Sequence, residues 1–491
     1  MHTILVTGAT GYIGGRLVPA LLEAGHQVRC LVRTPSKLEG IPWATDVTVI
    51  EGDIGDAHSV REAMDGCDAA YFLVHSMGGD DDFAAQDRDH AAVFAAAAGD
   101  TPTMEQIVYL GGLGDDEDDL SPHLSSRHEV GRILASGRVP VTELRAAVII
   151  GSGSASFEML RNLVEVLPVM VTPRWVDTRV QPIGIRDILH ALTVVLDRDD
   201  ARDRVIEVGG PDVLTYREMM HTYAEVAGLR RRLIVPVPVL SPSLSSHWVG
   251  FVTPLPQDLA APLVESLVNE VIVQDETLDL FEGSPRVSFR ASVELALRRV
   301  EDLAVNTRWS DAALPGATAA DPLPSDPDWS GGTILTDEQT AAADDVSPAQ
   351  VFTALAGIGG ARGWFVADIL WTIRGVADQL VGGPGMRRGR RDPDRLRVGD
   401  ALDSWRVEAT DPPSLLRLRA EMRLPGEAWL EWRIEPHGSG AALTQRAVFA
   451  PRGLFGRVYW YVMAPFHRLI FARLAREIVE RGRATPLGSA S

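Results

Sequence analysis

The sequence is short of cysteine, of lysine and of uninterrupted apolar runs. Its 491 residues hold two cysteines, Cys30 and Cys67, both in or near predicted strands. That is too few for a disulfide framework or a cysteine-rich metal site, and it fits a reduced, cytoplasmic setting. Lys37 is the single lysine, so arginine carries the remaining basic charge. Basic charge is itself in deficit: 47 Lys and Arg face 67 Asp and Glu, a formal net charge of -20. A surface of that sign argues against sequence-independent nucleic-acid binding, which needs a basic face. The most membrane-like stretch, 453–471, is interrupted by Arg457, His467 and Arg468. It reads as a folded amphipathic element, not an integral span, and leaves contact with a membrane surface open. The chain opens on a strand, so no signal peptide is expected.

What is present is ordinary for a globular protein, 45% hydrophobic and 23% charged, with length for two or three domains. The chain is organised around its start. An apolar run at 4–6 reads as a buried parallel strand. The turn Gly8-Ala9-Thr10-Gly11-Tyr12-Ile13-Gly14 follows, then a helix whose apolar residues Ile13, Leu17, Leu21 and Leu22 fall at helical spacing. A helix N-terminus offers free N–H groups and a partial positive charge, so strand, turn and helix in this order suit a phosphate. Gly8 permits the turn, Gly11 lets the backbone approach a pyrophosphate, and Gly14 lets helix and strand pack closely. A glycine-rich turn without a ligand is the plainer alternative. The next strand, 27–33, ends in Arg33, followed by Thr34, Ser36 and Lys37. A site for NAD carries an acid at this position, bonded to the ribose 2′-hydroxyl. A guanidinium instead matches a phosphate, so NADP is expected in preference to NAD.

Further strands at 47–53, 69–74, 106–110 and 139–150 alternate with helices at 59–66 and 87–98, the pattern of a doubly wound parallel α/β sheet with ligands at its carboxyl ends. Asp80-Asp81-Asp82 reads as a solvated acidic turn. The motif Thr7 to Gly14, with Arg33, Gly52-Asp53, Leu73-Val-His-Ser76, Tyr109-Leu-Gly-Gly112 and Val180-Gln-Pro-Ile-Gly-Ile-Arg-Asp187, resembles the short-chain dehydrogenase/reductase superfamily in its atypical, NmrA-like branch. The resemblance covers about the first 300 residues and implies a Rossmann-type domain. It implies that Asp53 and Ile54 flank the adenine and that Leu73 to His75 border the ribose.

Active members of that superfamily place a serine after the fifth strand and a Tyr-x-x-x-Lys on the next helix. The serine position here reads Gly111-Gly112, and a second lysine is missing. The nearest analogue is His123-x-x-x-Arg127, whose spacing puts both side chains on one helical face. Imidazole exchanges protons near neutral pH, and arginine holds a ribose or phosphate. His123 and Arg127 are therefore the candidate catalytic pair, with an exposed histidine at a helix start as the alternative.

Residues 151–176 leave the sheet and suit a substrate lobe, with bulky apolar residues beside Arg174. Thr215 is placed to cap a helix at 216–227. The stretch 233–273, with Trp248, Phe251 and Leu255, either lines a hydrophobic pocket or packs against a second domain. The first domain is expected over 1–305, a proline-rich linker over 306–331 and a second domain over 332–485. The second begins with a strand at 334–343 and a helix opened by Ser347-Pro348. Alternating strands at 400–408, 414–423, 428–434 and 441–449 and a long helix at 454–481 follow. Gly399 to Arg406, Leu424 to Glu431, Pro451 to Trp460 and Pro465-Phe-His467 resemble the START-like, helix-grip domain that often follows bacterial reductases. The resemblance implies an α+β fold enclosing an apolar cavity, with Trp405, Trp429, Trp432, Tyr459, Trp460 and Phe466 as either lining or plain core. The basic run 387–395 reads as a solvated loop or a site for an acidic ligand.

These features lead to an NADP(H)-binding, reductase-like protein that transfers hydride to a carbonyl or enone of an apolar small molecule. The missing serine, tyrosine and lysine favour the alternative, a non-catalytic NADP(H) sensor or ligand-binding scaffold.

Overall fold

A computed structural model describes residues 1–39, 41–75, 83–115, 120–237, 257–275, 278–306, 333–366 and 396–484. The acidic turn, Ser76, Trp248, Phe251, Leu255, the linker from 307 onward and the basic run lie outside the described residues. The chain divides into two compact units, most of the first being Met1–Val300 and most of the second Thr333–Ser491.

The first unit begins β1 (Thr3–Thr7), α1 (Tyr12–Glu23), β2 (Gln27–Val32), β3 (Thr48–Glu51), α2 (Ala57–Met64) and β4 (Ala69–Phe72). It continues α3 (Phe83–Asp100), β5 (Gln106–Gly112), α4 (Pro122–Ala135) and β6 (Val141–Ala146). With Arg204–Val208 these strands form a seven-stranded sheet in the order Arg204–Val208, β6, β5, β4, β1, β2, β3. Every pairing is parallel. This is the Rossmann-type doubly wound fold. The direction of winding reverses between β1 and β4, and ligands of such sheets lie in the crevice opened there.

Strands β4, β5 and β6 are buried along their whole length, β4 as a continuous apolar run and β6 with Thr142, Glu143 and Arg145 buried among its apolar residues. Alternate residues of β1 serve opposite layers. Ile4 and Val6 pack with Leu17 and Leu21 of α1, while Leu5 packs with Val60 of α2 and Phe94 of α3. Cys30 is buried in this core, where burial pushes its thiol up to about 12 and leaves it inert. The run expected as one strand over 139–150 is two. β6 ends at Ala146, and Ile149–Ile150 pairs with Ile183–Gly184 in a separate ribbon. An apolar run reports burial, not the point at which a strand leaves its sheet. Thr215 caps Tyr216–Val226, its hydroxyl and the Glu218 carboxylate forming a reciprocal capping box.

The second unit is a six-stranded antiparallel sheet in the order Leu335–Ala343, Gly440–Pro451, Gly426–His437, Leu415–Ala420, Trp405–Asp411, Ala401–Leu402. Phe471, Leu474 and Ile478 of the long helix Gly453–Ala484 share a core with Val351 and Leu355 of the helix Pro348–Ala356 and with Trp364, Trp405 and Trp432. This is the helix-grip arrangement. The six aromatic residues do not line one space. Trp432 joins the core, but Trp429 points to the opposite face and packs on Val448. Side chains along a strand alternate faces, so residues three apart cannot share one. Trp460 stacks on Phe449 at 5.8 Å, and Phe466 is 53% exposed.

Candidate functional site

The first turn is built from close backbone approaches. Gly8 has φ +74°, and a Cβ there would stand 2.8 Å from the Leu73 carbonyl oxygen. A Cβ at Gly14 would stand 2.3 Å from the Gly8 carbonyl oxygen, so α1 leaves the strand at a distance open only to glycine. The Gly11 N–H donates to Gly8 O and the Gly15 N–H to Gly11 O, both at 2.9 Å. No side chain caps α1 and no acid lies in its first turn. Its positive end is therefore open to an anion, and the cradle fits a dinucleotide pyrophosphate.

A cleft of about 460 Å³ opens above this turn. Gly8, Thr10, Gly11, Arg33, Asp53, Ile54, Leu73 and His75 all line it, joined by Thr7, Gly52 and Val74. Arg33 stands exposed at its rim, where β2 ends. Tyr12, Ile13 and Gly14 lie outside the lining. Tyr12 and Ile13 pack against the core, with the Arg16 guanidinium 4.1 Å over the Tyr12 ring. Lys37 sits exposed on the turn Pro35–Leu38, off the cleft. Gln86 and His90 of α3 also line the cleft and were not anticipated. Their four-residue spacing, one face of a helix following β4, was the available signal.

His75, at the cleft, belongs to a chain of polar groups. His75 Nδ1 lies 2.9 Å from the Asp87 carboxylate, and His75 Nε2 lies 3.2 Å from His123 Nδ1. The two rings meet edge to face at 4.8 Å. Asp87 and His123 are buried, at 3% and 9% exposure, so His123 is not the exposed helix-start residue of the alternative expectation. Its place is fixed by Ser121, whose hydroxyl accepts from the Leu124 N–H and so caps α4. Burial lowers the pKa of His75, against the raising effect of its Asp87 hydrogen bond. Burial, then repulsion from His75 and Arg127, holds His123 well below the ordinary histidine value. Both rings are therefore neutral near pH 7. The Asp87 carboxylate accepts from His75 Nδ1–H, His75 Nε2 accepts from His123 Nδ1–H, and His123 Nε2 is left as the end of the chain. Asp87 was not anticipated. It is twelve residues from His75, and its sequence neighbours mark only a helix.

Arg127 faces the strand, donating through Nη2 to the Leu110 carbonyl, while the Tyr109 hydroxyl donates to the Arg127 carbonyl at 3.0 Å. Burial raises Tyr109 to about 12, so its phenol stays protonated. His128 Nε2 lies 2.9 Å from the Gly112 carbonyl oxygen. The glycines at the serine position have a packing reason. A Cβ at Gly111 would stand 2.9 Å from Glu143 Oε1, and one at Gly112 would stand 2.7 Å from Leu124 Cδ2. Glu143 is buried and paired with Arg145 at 2.8 Å, so it has little freedom to yield. Among the described residues no cluster of histidine, cysteine or carboxylate could hold a metal ion.

Residues 8–147 match a family described as NAD(P)H-binding. The first unit therefore carries an NAD(P)H-binding domain over those residues. Residues 329–474, in the second, match a family described as a protein of unknown function (DUF2867). The chain is 27% identical over 226 residues to a (4-alkanoyl-5-oxo-2,5-dihydrofuran-3-yl)methyl phosphate reductase of Streptomyces griseus, covering 46% of this chain and 74% of the relative. It is 40% identical over 79 residues to a 3 beta-hydroxysteroid dehydrogenase/Delta 5-->4-isomerase of Mycobacterium tuberculosis, covering 16% of this chain and 20% of the relative. The Citrobacter sp. triphenylmethane reductase complexed with NADP(H) superposes with a TM-score of 0.49 at 21% identity, over 60% of this chain and 99% of its own.

Proposed function

We propose that the protein is an NADP(H)-dependent reductase that uses the Asp87–His75–His123 chain in place of the tyrosine and lysine of its superfamily. The observation carrying this reading is the 3.2 Å contact that ties His123 to His75 at the edge of the NAD(P)H cleft. Arg33 supports NADP over NAD, because the cleft rim at the end of β2 bears a guanidinium where an acid would meet the ribose of NAD. Gly8, Thr10, Gly11 and the open end of α1 hold the pyrophosphate, Asp53 and Ile54 flank the adenine, and Leu73 to His75 border the nicotinamide ribose. Tyr12, Ile13 and Gly14 shape the turn from behind. Lys37, off the cleft lining, adds basic charge near the 2′-phosphate.

When bound, the nicotinamide supplies a hydride to the substrate carbon. The protein's task is to deliver a proton to the atom that gains negative charge. His123 is the donor once it has gained a proton at Nε2. Asp87 fixes the tautomer of His75 and His75 fixes the ring of His123; when His123 gives up that proton the chain returns to its neutral form. Arg127, bonded to Leu110, orients the start of α4 and keeps the cluster from holding more than one extra proton. The Streptomyces relative is named as the reductase of an alkanoyl-oxo-dihydrofuran phosphate, which supports a carbonyl or enone as the acceptor.

The glycines at 111 and 112 favour a second reading, a cofactor sensor without turnover. One experiment separates the two. The full chain is titrated with NADPH and NADH, then assayed for NADPH oxidation against a panel of aldehydes, quinones and enones. Tighter NADPH binding with turnover of any acceptor supports the reductase. NADPH binding without turnover across the panel overturns it in favour of the sensor.

A further inference from the structure

The long helix Gly453–Ala484 changes character along its length. From Phe471 on it buries Phe471, Leu474, Ile478 and Val479 and turns Arg473, Arg476, Glu480 and Arg481 outward, as a helix at a protein surface does. Its first half buries Gly456 and Trp460, yet its outward side is apolar as well. Phe455 is 73% exposed, Tyr461 68%, Val462 60%, Leu469 57%, Phe466 53% and Val458 49%. Their spacing of three and four residues gathers them into one stripe opposite the packed face. Six large apolar side chains in one exposed stripe mark an interaction surface.

The charge beside the stripe indicates what covers it. Between Arg452 and Arg476 the sequence holds five arginines and no acidic residue, in a chain of net charge -20. Arg468, Arg473 and Arg476 are exposed. Phenylalanine, tyrosine and valine on one side of a helix, flanked by arginine and free of acid, match the boundary of a bilayer whose headgroups are anionic. No described helix is long and apolar enough to cross a membrane, and this helix also bears its own unit's core, so its place is along the surface. We propose that the first half of this helix docks the protein on an anionic lipid surface, with Phe455, Tyr461 and Phe466 entering the headgroup layer. Arg452 is paired with Glu427 at 3.0 Å, so the charge offered to headgroups is that of Arg468, Arg473 and Arg476.

The full chain is sedimented with vesicles of phosphatidylcholine alone and of phosphatidylcholine mixed with phosphatidylglycerol. It is expected to pellet with the mixed vesicles and to be released by high salt. The double substitution Phe455→Ser/Tyr461→Ser, at exposed positions the core does not use, should weaken partitioning about tenfold or more. Arg468→Ser and Arg473→Ser should each weaken it about fivefold on the mixed vesicles alone. Unchanged melting and unchanged NADPH binding verify that each variant is folded. A chain that stays in the supernatant with both vesicles overturns the proposal, as does pelleting that ignores the double substitution. Self-association that the double substitution abolishes, without vesicle binding, assigns the face to a second copy instead.

Discussion

Two buried polar clusters in the first unit make an instructive pair. One lies on the helix Ala155–Val166, away from the cleft lining. Arg161 is 2% exposed, 3.2 Å from Glu158 and 3.5 Å from Glu165. The Tyr223 hydroxyl donates to Glu165 at 2.7 Å, and the Gly153 N–H donates to Glu158 at 3.0 Å. Burial works against the charge on Arg161, but the two carboxylates outweigh it and raise the pKa further. The other cluster is Asp87–His75–His123. It is as deeply buried, but its cationic partners are imidazoles whose pKa values burial lowers. The first cluster's cation stays protonated at any physiological pH. The second cluster's imidazoles change state only on the acid side of neutral. Fixed charge organises a fold, whereas a titratable chain beside a cofactor cleft suits chemistry.

Breaking the fixed cluster should have the largest effect. Arg161→Met leaves two buried carboxylates without their cation and should cost about 3–5 kcal/mol of stability. Urea unfolding measures the loss. The shape of the pH–rate profile should not move, and a shifted profile would erase the distinction between the clusters.

Breaking the titratable chain should do the reverse. His123→Ala should lower NADPH-dependent turnover by about 10²–10⁴-fold, the usual worth of a positioned proton donor, with NADPH affinity unchanged. Asp87→Asn keeps the shape but weakens the hold on His75, so it should cost less. Measured kcat for both, beside calorimetric Kd, decides the point; equal rates in the variants and the parent remove the chain from the mechanism.

A third kind of charge, permanent but exposed, completes the series. Arg33→Ala should cost no measurable stability. It should narrow the gap between NADPH and NADH binding by about 1.5–3 kcal/mol, the worth of a charge-assisted hydrogen bond. Calorimetry with both nucleotides reads this directly.

These contrasts also explain what the sequence could disclose. Gly8 and Gly14 were legible because the chemistry of a strand–turn–helix is local, and their backbone approaches are those expected of the motif. The place of Arg33 at the cleft was legible because the end of a strand can be read from the local sequence. The histidine chain was not, because His75, Asp87 and His123 come from the end of β4, from α3 and from α4. Only the lateral order of the sheet, with β5 beside β4, brings α4 toward α3. His123 could be singled out by its spacing to Arg127, but its burial could not. Phe466 failed for a different reason. The long helix has two apolar faces, and periodicity identifies a face without saying which one the fold covers. Trp429 and Trp432 were within reach, since strand alternation alone assigns them to opposite sides.

The smallest expected effect separates the clusters by pH. Both histidines have folded-state pKa values below the value of about 6.5 of an unfolded chain. Between the lowered values and 6.5 the unfolded chain binds more protons than the folded one, so stability rises with pH across that window. Their contribution is complete above the unfolded value, declines as pH falls below it, and levels off beneath the folded values. Asp87 and Arg127 face the pair, the first raising and the second lowering both histidines. Reduction should respond in the opposite sense, because His123 donates only when protonated, so kcat should climb where stability falls. His123→Asn, which cannot protonate there, should flatten both slopes, while Arg161→Met should lower stability most at the upper end of the window, where its two uncompensated carboxylates ionise. Urea unfolding and turnover measured from neutral pH down to the acid side test all four expectations. A parent protein whose stability is level across the window would show that the two imidazoles do not carry the proton difference assigned to them.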